Sequence, residues 1–273
     1  MALAKAGFTL GIRPVSSLRP HEETIPDHVE KIASEMTRDG VQKDPIIIDR
    51  ESVTVLDGMH RLAAFVALGI ENAVCCSVDY SSKAVTVGRW ARVYNLGRGD
   101  SFDEFLGPSG MTRRTTLAEA FHALEGRETG LAVLTADAAY LPQRKLDLDM
   151  AISTVIAFDS LAATRGYARS FVPEDDIDLP LQAQRNLVVL MRKLGKDDVI
   201  LAARSGRLFP CKTSMHRIDP RPVGVNFPVD LLGSADIVRL REHLAGHGEQ
   251  LLPADSLYEG RRYRERLLLL SQR

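Results

Sequence analysis

The chain has 273 residues, is 45% apolar and carries 35 Lys and Arg against 36 Asp and Glu, a formal charge of -1. That length suits two small domains or one elaborated domain, and the balanced charge argues against a broad nucleic-acid-coating surface while leaving room for a local basic patch. No apolar run reaches bilayer length and the first ten residues are too mixed for a signal peptide. The three cysteines have no zinc-like spacing, so the expectation is a soluble, cytoplasmic protein in which Cys75 and Cys76 are small core residues.

In chain order, residues 11–20 look extended. Pro26 opens a helix that runs to about Arg38, with Val29, Ile32, Ala33 and Met36 at helical spacing and Gly40 as its stop. Pro45–Ile48 and Val53–Leu56 read as two strands joined by a tight turn at Asp49–Ser52. From Met59 the positions Leu62, Ala63, Phe65, Val66 and Leu68 predict a helix closed by Gly69. Ala73–Val78 reads as a further strand, and Ala84–Val87 as another that leads into Gly88-Arg89-Trp90. This α+β unit is assigned residues 1–95. Residues 96–114, with Gly97, Gly99, Gly107, Pro108 and Gly110, read as a linker, and 115–273 as a second, α/β domain. In that domain Thr116–Leu124, Leu148–Ala163, Lys196–Arg204 and Ala235–Leu244 predict helices, and Leu131–Thr135 and Leu187–Met191 predict strands. Leu208–Pro222 is expected to be irregular, and the end of the chain an Arg-rich helix or tail.

The chemistry concentrates in three segments. In Asp57-Gly58-Met59-His60-Arg61 a strand delivers a carboxylate, Gly turns the backbone, and a helix begins at once. Free N–H groups and the helix dipole favour an anion there, and His60 and Arg61 add donors. Asp57 could accept a proton, hold Mg²⁺ or bind a hydroxyl; a plain N-cap aspartate with a solvated His and Arg would look the same. In Leu18-Arg19-Pro20-His21-Glu22-Glu23 two carboxylates precede a helix. They are either dipole-favoured acids or a base for a substrate hydroxyl, and on an extended chain only one of them faces a site. The stretch Gly206–Arg217 holds Lys212, Thr213, Ser214 and His216, a set that could bind phosphate or carboxylate. Trp90, the single tryptophan, reads first as packing. There is no Gly-x-x-x-x-Gly-Lys-Ser/Thr loop, protein-kinase loop motif, Gly-x-Ser-x-Gly elbow or HExxH helix.

Taken together, the order of strands and helices around Asp-Gly-x-His-Arg resembles the ParB/sulfiredoxin fold, and within it the free serine kinases, archaeal ADP-dependent and staphylococcal siderophore-cluster enzymes among them. Leu18–Glu23 is similar to the family's Pro-His-Glu-Glu segment, Asp57–Arg61 to its Asp-Gly-His-His-Arg, and Phe209–His216 to its Phe-Pro-Pro-Lys-Thr-Thr-Arg-His. Trp90 falls where the family has an aromatic residue. Met59, Cys211, Ser214 and Met215 depart from those patterns, replacing His, Pro, Thr and Arg.

The resemblance implies an α+β architecture, a ParB/sulfiredoxin-like nucleotide-binding domain plus a second α/β domain with the active-site cleft between them. It implies transfer of a phosphoryl group from ATP or ADP, with Mg²⁺, to the hydroxyl of free L-serine or a similar compound. In that scheme Glu22 or Glu23, Asp57, His60 and Arg61 are catalytic, and Asp57–Arg61, Gly58 and Met59 included, hold the nucleotide. Trp90, Lys212, Thr213, Ser214 and His216 then bind substrate. A ParB-like DNA-binding protein or a ligand-sensing regulator without turnover is the alternative, although no recognition helix stands out.

Overall fold

The computed structural model describes residues 7–97, 99–107, 110–233, 242, 244 and 247–272. They form two compact units that interleave along the chain: Met1–Thr86, Lys196–Cys211 and His216–Arg273 in unit one, Val87–Gly195 and Lys212–Met215 in unit two.

Unit one opens with β1 (Thr9–Pro14), α1 (Pro26–Asp39), β2 (Val41–Gln42), β3 (Ile46–Asp49), β4 (Val55–Asp57), α2 (Met59–Ala67) and β5 (Asn72–Val78). The four-stranded sheet has the order β1-β5-β3-β4, with β3 parallel to β5 and the other pairs antiparallel. Every residue of β3 and β5 is buried, which suits a continuous β-branched and apolar run covered on both faces. Helix α1 starts on Pro26, whose fixed φ fits the first turn, and stops at Gly40, left-handed at φ 67°. Cys75 and Cys76 lie in β5 with no exposed surface to speak of, and burial pushes the Cys75 thiol up to about 12 and Cys76 higher still. Neither should react with a thiol reagent in the folded protein at neutral pH. Labelling of either before denaturant is added, followed by peptide mapping, would contradict the burial described.

Unit two is built on β6 (Val85–Asn95), α3 (Asp103–Leu106), β7 (Arg113–Thr115), α4 (Leu117–Glu125), β8 (Leu131–Leu134), β9 (Ala139–Leu141), α5 (Leu148–Arg165), β10 (Ala168–Pro173), α6 (Asp178–Leu181) and β11 (Asn186–Met191). Its antiparallel sheet runs β10-β6-β11-β8-β9-β7. Alternation along β11 splits the core in two. Leu187, Val189 and Met191 pack with Val155 and Phe158 of α5, whereas Val188 and Leu190 pack with Ala120 and Leu124 of α4. Thr116 and Glu119 form a reciprocal capping box at the start of α4.

The chain then returns to unit one through α7 (Lys196–Ser205), crosses again near β12 (Ser214–Ile218), and ends with β13 (Arg221–Val223), β14 (Phe227–Pro228), α8 (Val229–Leu232), β15 (His247–Leu252), β16 (Leu257–Tyr258), β17 (Arg261–Arg262) and β18 (Leu267–Gln272). Strands β13, β18 and β15 form a three-stranded sheet, and β14 pairs with β2.

Several expectations change. The strand expected at Ala84–Val87 runs on to Asn95. Residues 96–114 are not a bare linker: Phe105, Leu106 and Met111 are buried in the core of unit two, an apolar content that the surrounding glycines mask. Leu208–Pro222 contains a strand, because Ser214, His216 and Ile218 alternate inward. The Arg-rich end is strand rather than helix or free tail, since Leu267, Leu268 and Leu270 are fully buried in the three-stranded sheet. The observed units also differ from the contiguous 1–95 and 115–273 division, because the C-terminal sheet folds back on unit one. Residues 235–241 and 243 of the helix expected over Ala235–Leu244 lie outside the described residues.

Candidate active site

The turn between β4 and α2 is built around Gly58, which caps the helix at φ 98° and ψ 24° with no side-chain cap bond. A Cβ there would stand 3.2 and 3.3 Å from Arg61 Nη2 and Nε and 3.4 Å from Ile46 Cγ1. The helix N-terminus is therefore left to its backbone N–H groups and dipole, which suits an anion. Asp57 is not its N-cap. One carboxylate oxygen meets Arg61 Nη2 at 3.1 Å and the other Arg221 Nη1 at 3.3 Å. Burial works against the charged carboxylate, but Arg221, Arg61 and Arg261 outweigh it and hold Asp57 well below the usual carboxylate range.

Arg61 is itself fixed from several sides, by Asp57, by Asp44 at 3.5 Å and by the Pro45 carbonyl at 3.2 Å, while its buried Nε has no hydrogen-bond partner. It brings positive potential to the turn rather than a free guanidinium fork. His60 accepts the Ile25 N–H on Nε2 at 3.0 Å and lies against the His28 ring, tying α2 to the start of α1.

Beside this turn runs the segment that carries the paired glutamates. Arg19 bridges Thr54 in parallel and His21 bonds to the Val55 carbonyl, so the segment lies alongside β4, while Glu22 bridges Phe209. Alternation separates the two acids: Glu22 is 9% exposed, whereas Glu23 faces solvent. Between them and the core sits His21, whose Nδ1–H donates to the Val55 carbonyl at 2.8 Å and whose ring packs edge-on against His216. His216 Nε2 and the Tyr80 hydroxyl share a hydrogen bond of 2.7 Å. His216, expected on a substrate loop, is thus a buried residue of β12.

Burial lowers His21 to about 4 despite its backbone bond, and burial lowers His216 as well. A histidine held neutral in the native state is protonated first in the unfolded chain. Stability should therefore be complete above pH 6.5 and decline as pH falls toward 4, by about 3 kcal/mol for His21. Thermal melts at stepped pH should show the midpoint falling over that window, with a flatter profile for His21→Gln. A parallel profile for that variant would remove His21 as the cause.

Trp90, Lys212, Thr213 and Ser214 belong to unit two. Lys212 has a positive φ of 57°, an uncommon conformation for a side chain of its kind, and its Nζ stands 4.6 Å from the centre of the Trp90 ring, a cation–π arrangement. Thr213 and Ser214 are buried, and the Arg92 guanidinium donates to the Lys212 carbonyl at 3.4 Å. Trp90 is therefore a platform for a cation as well as a packing residue.

Among the described residues no three His, Cys, Asp or Glu side chains are arranged to hold a metal ion. With an arginine on each oxygen, Asp57 does not fit the role of a Mg²⁺ ligand. No helix among the described residues is long and apolar enough to cross a membrane.

No protein-family model matches the chain. A ParB-like protein of Sulfolobus acidocaldarius is 37% identical over 89 residues, 33% of this chain, and the match spans only 43% of that relative. An ATP-dependent L-serine kinase of Staphylothermus marinus is 22% identical over 234 residues, 80% of this chain and 89% of that protein. Among solved structures, a free serine kinase in complex with AMP is similar at a TM-score of 0.66 with 19% identity, covering 82% of this chain and 93% of that one. The chain has the free serine kinase fold. SbnI from Staphylococcus aureus, solved with a C-terminal truncation, shares that fold at a TM-score of 0.65 and 16% identity, over 85% of this chain and 93% of its own. The expected α+β fold class is thereby borne out. Arg221, Glu265, Asp44, His21 and Tyr80 join the surroundings of the turn without having been singled out in the sequence. Each is brought there by long-range pairing, and only a local reading of His21 beside Glu22 was open to a sequence argument.

Proposed function

We propose that the protein is a small-molecule phosphotransferase that moves a phosphoryl group from ATP or ADP to the hydroxyl of free L-serine, giving O-phospho-L-serine. The observation that carries this reading is one buried carboxylate, Glu22, on the segment whose Arg19 and His21 pair with β4, the strand that ends at the Gly58 helix start. A fold shared with free serine kinases and a distant match to an ATP-dependent L-serine kinase support it.

Phosphoryl transfer needs positioning and charge stabilisation more than covalent chemistry. The N–H groups of Gly58–Arg61 and the dipole of α2 cradle the donor phosphates, with Arg61 supplying positive potential. Glu22 accepts the proton of the acceptor hydroxyl as it attacks. Lys212, with Thr213, Ser214 and Trp90, recognises the acceptor's carboxylate or a phosphate. Mg²⁺ bound with the nucleotide would shield phosphate charge. Among the described residues no three His, Cys, Asp or Glu side chains build a cage for it.

Incubation with ATP or ADP and each of serine, threonine and homoserine, followed by ³¹P NMR, tests donor and acceptor together. A new phosphomonoester resonance with serine supports the reading, and none with any acceptor overturns it. The identity to a ParB-like protein favours a second reading, a nucleotide-binding regulator. It predicts nucleotide binding with no phosphomonoester formed, and salt-sensitive DNA retention in a gel shift.

A further inference from the structure

We infer that Arg221 is a positioning residue for the transfer site, fixing the Asp57 carboxylate from the side opposite Arg61. The inference rests on the proposed function, in which the Asp57–Arg61 turn belongs to the reacting centre. Arg221 opens β13, which pairs with β18, and its backbone N–H donates to the Arg266 carbonyl at 2.8 Å, so its Cα is pinned within the three-stranded sheet. Its side chain is 6% exposed. From there the guanidinium reaches three groups: Nε donates to Glu265, Nη2 donates to the His216 carbonyl at 2.6 Å, and Nη1 stands 3.3 Å from Asp57 Oδ1.

Glu265 alone would neutralise a structural arginine at this depth. Arg221 nevertheless extends past it to a second carboxylate, one whose side chain keeps 37% of its surface exposed. With Arg61 Nη2 on Oδ2 and Arg221 Nη1 on Oδ1, each oxygen carries its own cation and the carboxylate plane is set. The charged and titratable groups that act on Asp57 are Arg221 from β13, Arg61 from α2, Arg261 from β17 and His216 from β12, while Glu265 and Asp44 share Arg221 and Arg61 with it. Only a planar fork serves three partners in three directions; the point charge of a lysine cannot.

The test compares Arg221→Gln and Arg221→Lys with the parent protein by three readouts: ¹³C NMR titration of the Asp57 carboxyl, assigned by its loss in Asp57→Asn, calorimetric affinity for ADP, and steady-state kcat and KM for serine. In Arg221→Gln the Asp57 carboxyl should titrate at least about one pH unit higher. Its kcat should fall tenfold or more while ADP affinity stays within about threefold. Arg221→Lys should restore the carboxyl titration in part and kcat less completely. An Asp57 titration unmoved in Arg221→Gln, or an unchanged kcat, overturns the inference. Should Arg221→Gln fail to fold, the parent protein still decides, because an Asp57 carboxyl titrating at an ordinary aspartate value shows that no cation grips it. The NMR arm needs no turnover, so a parent protein inactive toward every acceptor would defeat the proposed function while leaving the hold of Arg221 on Asp57 to be read separately.

Discussion

Replacing Glu22 by Gln should lower kcat for serine phosphorylation by 10² to 10⁴-fold, roughly the range attributed to a positioned general base, while ADP binds with near-parent affinity. Gln keeps the shape and the backbone bridge to Phe209 but cannot take a proton. The same change at Glu23 should leave kcat within about threefold, because that side chain faces solvent and its backbone N–H is already spent on the Phe209 carbonyl. The sequence offered both acids as candidates, and strand alternation separates them. A Glu22→Gln protein that turns over normally would remove the base from the mechanism. Loss of activity in Glu23→Gln alone would reverse the assignment.

The second large effect is expected at Gly58. Gly58→Val should destabilise the protein by about 2 kcal/mol or more, since a β-branched residue at φ 98° is strained and its Cβ presses on Arg61 and Ile46. The more telling consequence is functional. To relieve the contact and the strain at φ 98°, Arg61 gives way by a few tenths of an ångström and the first turn of α2 shifts, disturbing the N–H cradle; ADP affinity should fall at least tenfold. Gly58→Ala should show the same direction with smaller size. Chemical denaturation and calorimetry on the same samples separate the two effects. A Gly58→Val protein that binds ADP like the parent would show that the phosphates do not sit on this turn.

Much of this arrangement is legible from short-range signals. Helices α1, α2, α4, α5 and α7 and strands β3, β5, β8 and β11 follow from apolar spacing bounded by Pro26, Gly40, Gly69, Thr116 and Gly206, and the turn at Gly58 falls where it was expected. What the sequence conceals is long-range. Arg221 and Glu265 look like ordinary charges in an Arg-rich stretch, and only the β13–β18 pairing brings them to Asp57. His216 sits in a motif that suggests a ligand loop, yet the inward alternation of β12 buries it against His21 and Tyr80. Arg61 reads as a free phosphate clamp until Asp44 and the Pro45 carbonyl are seen to hold it. Residues 96–114 read as a linker because five glycines and prolines outvote the apolar side chains that in fact pack into the core.

Transfer onto serine has a stoichiometric consequence. With L-serine in excess and a limiting amount of ATP or ADP, ³¹P NMR should show one O-phospho-L-serine formed for each nucleotide consumed, and over the same time course at most about a hundredth as much when Gln replaces Glu22. Nucleotide consumed to inorganic phosphate with no phosphoserine, or nucleotide bound and left intact, would rule out transfer onto serine.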